Sequence, residues 1–215
     1  MRERDGKTLR QISNYFYRVS GVYQRVCDYA ASMYRYDWYA VPEIYDQKVK
    51  EEKVLTDFAK MLSFLDESHI KKLCNDIALS VIKDGAYYGY AVVEDDKFYL
   101  QDLPASYCRS RFNIGSDPAI EFDMRFFDDN FSDINYRLKV LKMFPKEFTK
   151  GYLWYKEQKL KQDEFSNVPS SWYLLDPNLS VKFSFGGNDI PLFVNAIPAI
   201  LDLDAAQDLD RRKQM

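Results

Sequence analysis

Five acidic side chains between positions 121 and 133 are the residues whose type and spacing could support catalysis. They are Glu121, Asp123, Asp128, Asp129 and Asp133. Hard cations such as Mg²⁺ bind several carboxylate oxygens, and a cation with open coordination positions can activate a phosphoryl substrate. One hypothesis is therefore a metal-dependent phosphoryl-transfer enzyme that uses Glu121, Asp123 and Asp128. It requires the carboxyl oxygens of these three residues to converge on one point.

The alternating pattern around the first two acids favours a structural role instead. In a strand, Glu121 and Asp123 share one face, whereas Phe122, Met124 and Phe126 share the other. This pattern predicts that the two acids lie on the solvated side of a sheet whose apolar side faces the core.

Other residues with chemical potential lack the partners that catalysis needs. His69 is the single histidine, and the chain has no G-x-S-x-G sequence to supply a nucleophile, so we expect a surface histidine on a helix. Gly186 and Gly187 lack the spacing of a phosphate loop or a dinucleotide site and predict a turn. Arg109 and Arg111 are expected to form cross-strand ion pairs rather than a DNA site. We assign no catalytic, cofactor-binding or metal-binding residue and expect a protein that is not an enzyme.

The three cysteines, Cys27, Cys74 and Cys108, are far apart and do not have metal-ligand spacing. We expect reduced, buried thiols in an intracellular protein. No apolar run approaches the roughly 20 residues that span a bilayer, and the charged N-terminus has no hydrophobic signal core. The chain is expected to be neither secreted nor membrane-spanning.

Length and composition predict one large domain or a domain with an appendage. The 215 residues are 47% hydrophobic and 16% aromatic, with 17 tyrosines. Tyrosine suits half-buried sheets and subunit interfaces equally well, and composition leaves both open. The 33 acidic and 30 basic residues give a net charge of −3, without the basic excess of a dedicated nucleic-acid-binding domain.

Helical periodicity dominates the first 85 residues. One long helix is predicted over residues 8–34, opened by a capping box of Thr8 and Gln11. Its apolar stripe, which we expect to pack against the core, consists of Tyr15, Val19, Val22, Val26, Tyr29 and Met33. An extended segment over 36–44 and a helix over 49–65 should follow. A further helix has Ser68 as its N-cap, and Gly85 ends it in the left-handed conformation.

Beyond Gly85 the apolar period changes to two. One hairpin is predicted over 88–100, a second pairs 107–114 with 119–127, and Leu103-Pro104 forms a bend between them. Helices over 132–143 and from Pro145, a polar connection over 156–167 and strands at 171–175 and 180–185 should follow. A last helix begins near Leu201; its end at Met215 suits either a frayed terminus or a helix cut by truncation. The fold class is therefore α+β, with N-terminal helices packed with antiparallel hairpins.

Four phrases, in their order, resemble portal proteins of tailed bacteriophages, the ring-shaped head-to-tail connectors. They are Leu9-Arg10-Gln11-Ile12-Ser13 running into Tyr39-Ala40-Val41-Pro42, Asp84-Gly85-Ala86-Tyr87-Tyr88-Gly89-Tyr90, Leu103-Pro104-Ala105-Ser106-Tyr107-Cys108-Arg109, and Ile120-Glu121-Phe122-Asp123-Met124-Arg125-Phe126-Phe127. The similarity extends over most of the chain, but residues 128–182 match only in general character.

The resemblance implies an N-terminal wing over residues 1–189 and the start of a stem helix over 190–215. A portal ring is dodecameric in that family, occupies one capsid vertex of the virion, and forms the conduit for DNA packaging and ejection. The implied partners are further copies of the chain, the major capsid and scaffold proteins, the terminase large subunit, the head-tail adaptor and double-stranded DNA in the channel. Tyrosine-rich exposed patches would then be interfaces. Besides the enzyme, a nonviral adaptor that binds a protein partner through the same aromatic surface remains an alternative.

Overall fold

The computed structural model describes residues 6–33, 40–42, 51–94, 97–115, 117–160, 170–187 and 189–213. The helices are α1 (Gly6–Val19), α2 (Gly21–Ser32), α3 (Glu51–Glu67), α4 (Ile70–Asp84), α5 (Arg125–Asn130), α6 (Ile134–Met143), α7 (Lys146–Leu160) and α8 (Ile197–Lys213). The strands are β1 (Ala86–Glu94), β2 (Lys97–Leu103), β3 (Cys108–Ile114), β4 (Asp117–Asp123), β5 (Trp172–Leu174) and β6 (Ser180–Ser184). The predicted α+β class is confirmed.

The chain forms two units. The first, called here the helical unit, contains the residues up to 87 and those from 183 onward, and the second, called the mixed unit, contains residues 88–182. The predicted division into a wing and a stem at residue 189 stays a prediction. Of the extended segment predicted over 36–44, residues 40–42 are described and are neither helical nor in a strand; the rest lies outside the described residues.

The single helix predicted over residues 8–34 is wrong, because the chain breaks at Ser20 into α1 and α2. Ser20 is extended, and its hydroxyl accepts a hydrogen bond from the backbone N–H of Tyr23 at 3.3 Å, which caps α2. A serine that can bond to nearby backbone groups, followed by a glycine, weakens a continuous helix. Helix α1 begins at Gly6, so Thr8 lies inside it and is not its N-cap, contrary to the predicted capping box.

The core of the helical unit is built where α1 and α2 meet α4 and the C-terminal segment. Its buried residues are Tyr23, Cys27, Ala30, Ala31, Ala78, Ile82, Val194 and Ile197. Two hydroxyl groups, those of Ser13 and Tyr23, are buried here, and the Ser13 hydroxyl donates to the carbonyl oxygen of Lys83 at 2.6 Å. The Tyr23 hydroxyl lies 2.9 Å from the same Ser13 oxygen. Because the Ser13 proton is already used in the bond to Lys83, Tyr23 is the donor of this second bond. These two bonds tie α1 to both α2 and α4.

Helix α4 ends as predicted, but it begins one residue later than predicted. Its N-cap is His69, with φ 49°, and not Ser68. Gly85 has φ 85°, and its N–H bonds to the carbonyl oxygen of Val81 at 2.9 Å, so the left-handed cap is confirmed. A Cβ at position 85 would lie 2.5 Å from the backbone carbon of Asp189, so glycine is needed for space as well as for conformation.

Both predicted hairpins are confirmed. Strands β1 and β2 pair antiparallel from Tyr88↔Leu103 to Glu94↔Lys97, and β3 and β4 pair from Cys108↔Phe122 to Ile114↔Asp117 with a register shift between Ser110 and Asn113. The strand orders of the two sheets are β2-β1-β6 and β3-β4-β5. The predicted bend is present: Pro104 precedes a 3₁₀ turn over Ala105–Tyr107 that joins the two hairpins.

The strand predicted over 119–127 ends early, and this part of the prediction is wrong. Strand β4 stops at Asp123, whose carboxylate accepts the backbone N–H of Arg125 at 3.1 Å, and helix α5 begins at Arg125. The helical turn brings further aromatic rings onto Phe122, with ring centroids 5.2–6.2 Å apart across the cluster of Phe122, Phe126, Phe127, Phe144 and Phe148. Helix α7 also runs to Leu160, so the polar connection predicted from residue 156 starts later than predicted.

Candidate functional site

Glu121 lies on β4, between two arginines of β3. Nε of Arg109 and Nε of Arg111 are each 2.8 Å from the Oε2 atom of Glu121. Burial raises the pKa of this carboxyl, but the hydrogen bonds and charges of Arg111 and Arg109 outweigh burial and hold the pKa below its ordinary value. The Arg109 guanidinium also stacks 3.8 Å from the ring centre of Trp172. The predicted cross-strand pairing of both arginines is confirmed.

Asp123 is buried two residues further along β4 and is paired with Arg125. Nη2 of Arg125 is 2.6 Å and Nε is 3.0 Å from Oδ2 of Asp123. Burial opposes ionisation, and the hydrogen bonds from Arg125 and Ser171 overcome it, so the pKa of Asp123 is lowered. The predicted solvated position of Glu121 and Asp123 is wrong: they are 8% and 3% exposed. Both faces of β4 are covered, since arginine and tryptophan side chains lie over the acidic face.

Asp128 on α5 holds three donors from α6 and α7. Its carboxylate accepts from the Tyr152 hydroxyl at 2.7 Å and from Nζ of Lys156 at 2.6 Å, and Nη1 of Arg137 lies 2.8 Å away. Burial raises its pKa, but these hydrogen bonds and the two positive charges lower it by more. Asp128 thereby connects three consecutive helices.

The other two acids also have local structural partners. Asp129 accepts from the Tyr107 hydroxyl at 3.3 Å. Asp133 is the N-cap of α6, and its carboxylate accepts from the backbone N–H groups of Asn135 and Tyr136 at 2.6 and 3.0 Å.

The acidic residues are therefore not assembled into a metal centre. Glu121, Asp123 and Asp128 each face their own cationic partners, and a metal ion would have to displace these partners to gain their oxygens. Within the described ranges no three His, Cys, Asp or Glu side chains are grouped as a metal ion requires. The arrangement supports ion pairing that fixes the mixed unit, and it provides no observation in favour of phosphoryl transfer.

The remaining sequence candidates occupy structural positions. His69 is exposed at the start of α4, and Gly186 and Gly187 have φ values of 61° and 74° in the predicted turn. Cys27 and Cys108 are buried as predicted, but Cys74 is exposed, so the prediction fails there. Burial, together with the charge of Asp28, raises the pKa of the Cys27 thiol to about 11, which keeps this thiol protonated and unreactive at neutral pH.

In an open cleft of about 570 Å³ on the mixed unit, the Tyr90 and Glu147 side chains are committed to the fold. The cleft is lined by side chains that include Tyr90, Lys146, Glu147 and Lys150. The Glu147 carboxylate accepts from the Tyr90 hydroxyl and, at 2.8 Å, from the backbone N–H of Asp176. Burial and the neighbouring Glu147 raise the pKa of Tyr90, so this hydroxyl remains a donor rather than a base.

The most conspicuous surface consists of large apolar side chains on the outer sides of α1 and α2. This surface, called here the α1–α2 face, consists of Ile12, Tyr15, Val19, Val22, Val26, Tyr29 and Met33. The residues follow helical spacing on each helix and are 38–72% exposed, with Tyr29 at 72% and Tyr15 at 61%. Arg18 and Arg25 are exposed on the same two helices. Apolar surface of this size with a charged rim is typical of a protein–protein contact site.

The expectation that this stripe packs against the core is wrong. The opposite sides of α1 and α2 face the core, with Ser13, Tyr23, Cys27, Ala30 and Ala31. Valine, tyrosine and methionine are larger and more apolar than serine and alanine. A search for the most hydrophobic stripe therefore selects the exposed α1–α2 face instead of the side that is buried. Small side chains allow close helix approach, and Ser13 is compatible with burial because its hydroxyl is fully bonded. In the sequence, the core side of α2 is indicated by Ala30 and Ala31, which follow Tyr23 and Cys27 at helical spacing.

Comparisons with known proteins give no relative: no family model, no curated protein and no solved structure matches the chain. Among the described residues, no helix combines the length and apolar character needed to cross a membrane. The geometry of the exposed surfaces is therefore the main structural guide to function.

Proposed function

We propose that this protein is a structural subunit of a ring-shaped assembly, the portal ring of a tailed bacteriophage. The observation that carries the proposal is the exposed α1–α2 face, whose seven large apolar side chains suit burial against another protein. The acidic residues best placed for chemistry are instead committed to ion pairs, which favours a structural role over an enzymatic one.

The resemblance of the four ordered phrases narrows the kind of assembly. In that proposal, copies of the chain surround a channel at the capsid vertex and serve DNA packaging and ejection. The ring docks the terminase and later the tail adaptor, and it contacts the capsid and scaffold proteins. The near balance of acidic and basic residues fits a peripheral part of such a ring, away from the DNA.

Negative-stain electron microscopy of the full gene product tests the proposal. We expect closed rings of one size with a central channel, because an assembly with cyclic symmetry closes on itself. Sedimentation velocity on the same sample should show one large species. A product that stays monomeric or dimeric, or that forms only open filaments, contradicts the portal proposal.

The alternative of a protein-binding adaptor uses the same surface and predicts a different result. An adaptor would remain a monomer by itself and would bury the α1–α2 face only against a different chain. The oligomeric state of the purified gene product therefore separates the two proposals.

A further inference from the structure

Seven of the 17 residues of helix α3 are large and apolar, yet its described side chains are all at least partly exposed. Val54, Phe58, Leu62 and Leu65 are half-buried, and α3 packs against α4. Leu55, Phe64 and Met61 are 57%, 41% and 39% exposed. An amphipathic helix gains most of its stability from burial of its apolar side. Val54, Phe58, Met61 and Leu65 follow helical spacing and form a row that α4 covers only in part. This row is a second apolar surface on the helical unit, distinct from the α1–α2 face.

The helices that carry the two surfaces differ in net charge. Helix α3 contains five acidic and two basic residues, whereas α1 and α2 together contain four basic and one acidic residue. The exposed acids of α3 include Asp57 and Asp66, and the exposed bases of the other pair include Arg18 and Arg25. Complementary charge around apolar patches guides association and fixes register between partners.

We infer that α3 of one copy of this chain docks on the α1–α2 face of a second copy. The seven side chains of that face expose on the order of 700 Å², close to the ~800 Å² per partner of a standard interface. Contact between two α1–α2 faces would bring their basic rims together, and contact between two α3 helices would bring acidic rims together. Like charges across an interface oppose association, so the mixed pairing is favoured over both self-pairings.

This pairing is heterologous, because each copy uses two different surfaces. A pair of bound copies keeps one unused α3 and one unused α1–α2 face, so further copies can add until a ring closes. The inference therefore rests on the proposed ring and specifies which surfaces form its subunit contact.

A pair of charge reversals on the full gene product tests the contact. The first variant carries Arg18→Glu and Arg25→Glu, and the second carries Asp57→Lys and Asp66→Lys. Each variant alone should associate at least about tenfold more weakly than the wild type, because each places like charges on both sides of the contact. A matched reversal at exposed positions of α7, Lys146→Glu with Lys150→Glu, should leave association unchanged.

An equimolar mixture of the two variants should regain wild-type association to within about threefold, because every contact between unlike variants again pairs opposite charges. Sedimentation velocity measures the association, and circular dichroism checks that each variant is folded. Recovery on mixing excludes misfolding as the cause of the loss. A mixture that stays dissociated, or single variants that associate like the wild type, overturns the inference.

The results also distinguish this contact from the portal proposal. Closed rings whose formation is insensitive to both reversals would retain the portal proposal and overturn the α3 contact. Open filaments that are lost in each variant and restored by mixing would support the contact and contradict the portal proposal.

Discussion

Three carboxylates in the mixed unit make its stability decrease at low pH. The pKa values of Glu121, Asp123 and Asp128 are all lowered in the folded state by arginine and lysine partners. Because the unfolded chain then binds protons more readily, the free energy of unfolding decreases as pH falls. These ion pairs connect β3 to β4 and connect α5 to α6 and α7.

The first prediction concerns this pH dependence. The contribution of the three carboxylates to the free energy of unfolding should be fully present above about pH 5, where the carboxyls of the unfolded chain are ionised. It should fall progressively toward about pH 3 and below. Urea unfolding at pH 7, 5, 4 and 3 measures it. Asp128→Asn should lower stability at pH 7 by about 1–3 kcal/mol and weaken the dependence on pH. Equal pH slopes for the wild type and this variant would contradict the assignment.

The second prediction concerns the left-handed glycine at the end of α4. Gly85→Ala should destabilise the protein by about 3 kcal/mol or more, because it adds a clash with the backbone of Asp189 to an unfavourable φ. Gly186→Ala is the matched control, since Gly186 has φ 61° but no atom within 4 Å of the position that a Cβ would occupy, and it should cost about 1 kcal/mol. Denaturant midpoints compare the two, and equal losses would refute the role of the close approach.

At the scale of the elements, sequence patterns located most helices and strands but not all their ends. The hairpins and the end of α4 depend on local features, such as a change of period and a single glycine, so they were predictable. The end of β4 depends on the pairing of Asp123 with Arg125, which no period reveals. The face of α1 and α2 that enters the core depends on hydrogen bonds of Ser13 with residues as far away as Lys83. The sequence therefore showed the apolar stripe of α1 and α2, but only the three-dimensional structure showed that this stripe is exposed.

The third prediction concerns the packing of α7 on the sheet below it. A Cβ at Gly151 would lie 2.3 Å from Cε of Met124 and 2.9 Å from the ring of Tyr173. Gly151→Ala should therefore destabilise the protein by about 1–3 kcal/mol, although alanine is the better helix former. Gly21→Ala in α2, where no atom crowds the new methyl group, should be neutral or slightly stabilising. Thermal unfolding of both variants decides the matter; a stabilised Gly151 variant would show that the contact is loose.

At the scale of the whole molecule, exposed apolar surface links stability to concentration. If copies of the chain bury the α1–α2 face against each other, the associated state stabilises the folded chain by mass action.

The fourth prediction follows from this linkage. The Tm of the wild type should rise with protein concentration, whereas the Tm of Tyr29→Asp should not, because a charge at a site 72% exposed in the monomer blocks only the associated state. Leu160→Asp, at a position 85% exposed on α7, is the control and should keep the wild-type dependence. Scanning calorimetry over a hundredfold range of concentration provides the measurement. A concentration-independent Tm for the wild type would argue against self-association.

The division of the helical unit between the two ends of the chain sets an order for its folding during synthesis. Its core joins Tyr23 and Ile82 to Val194 and Ile197, so the N-terminal helices wait for more than a hundred residues before their last core partners leave the ribosome. At about 5–20 residues per second this delay is on the order of 5–20 s. The mixed unit is continuous in sequence and is complete first. Of the two units, the one whose synthesis starts earlier is thus the one that is finished later.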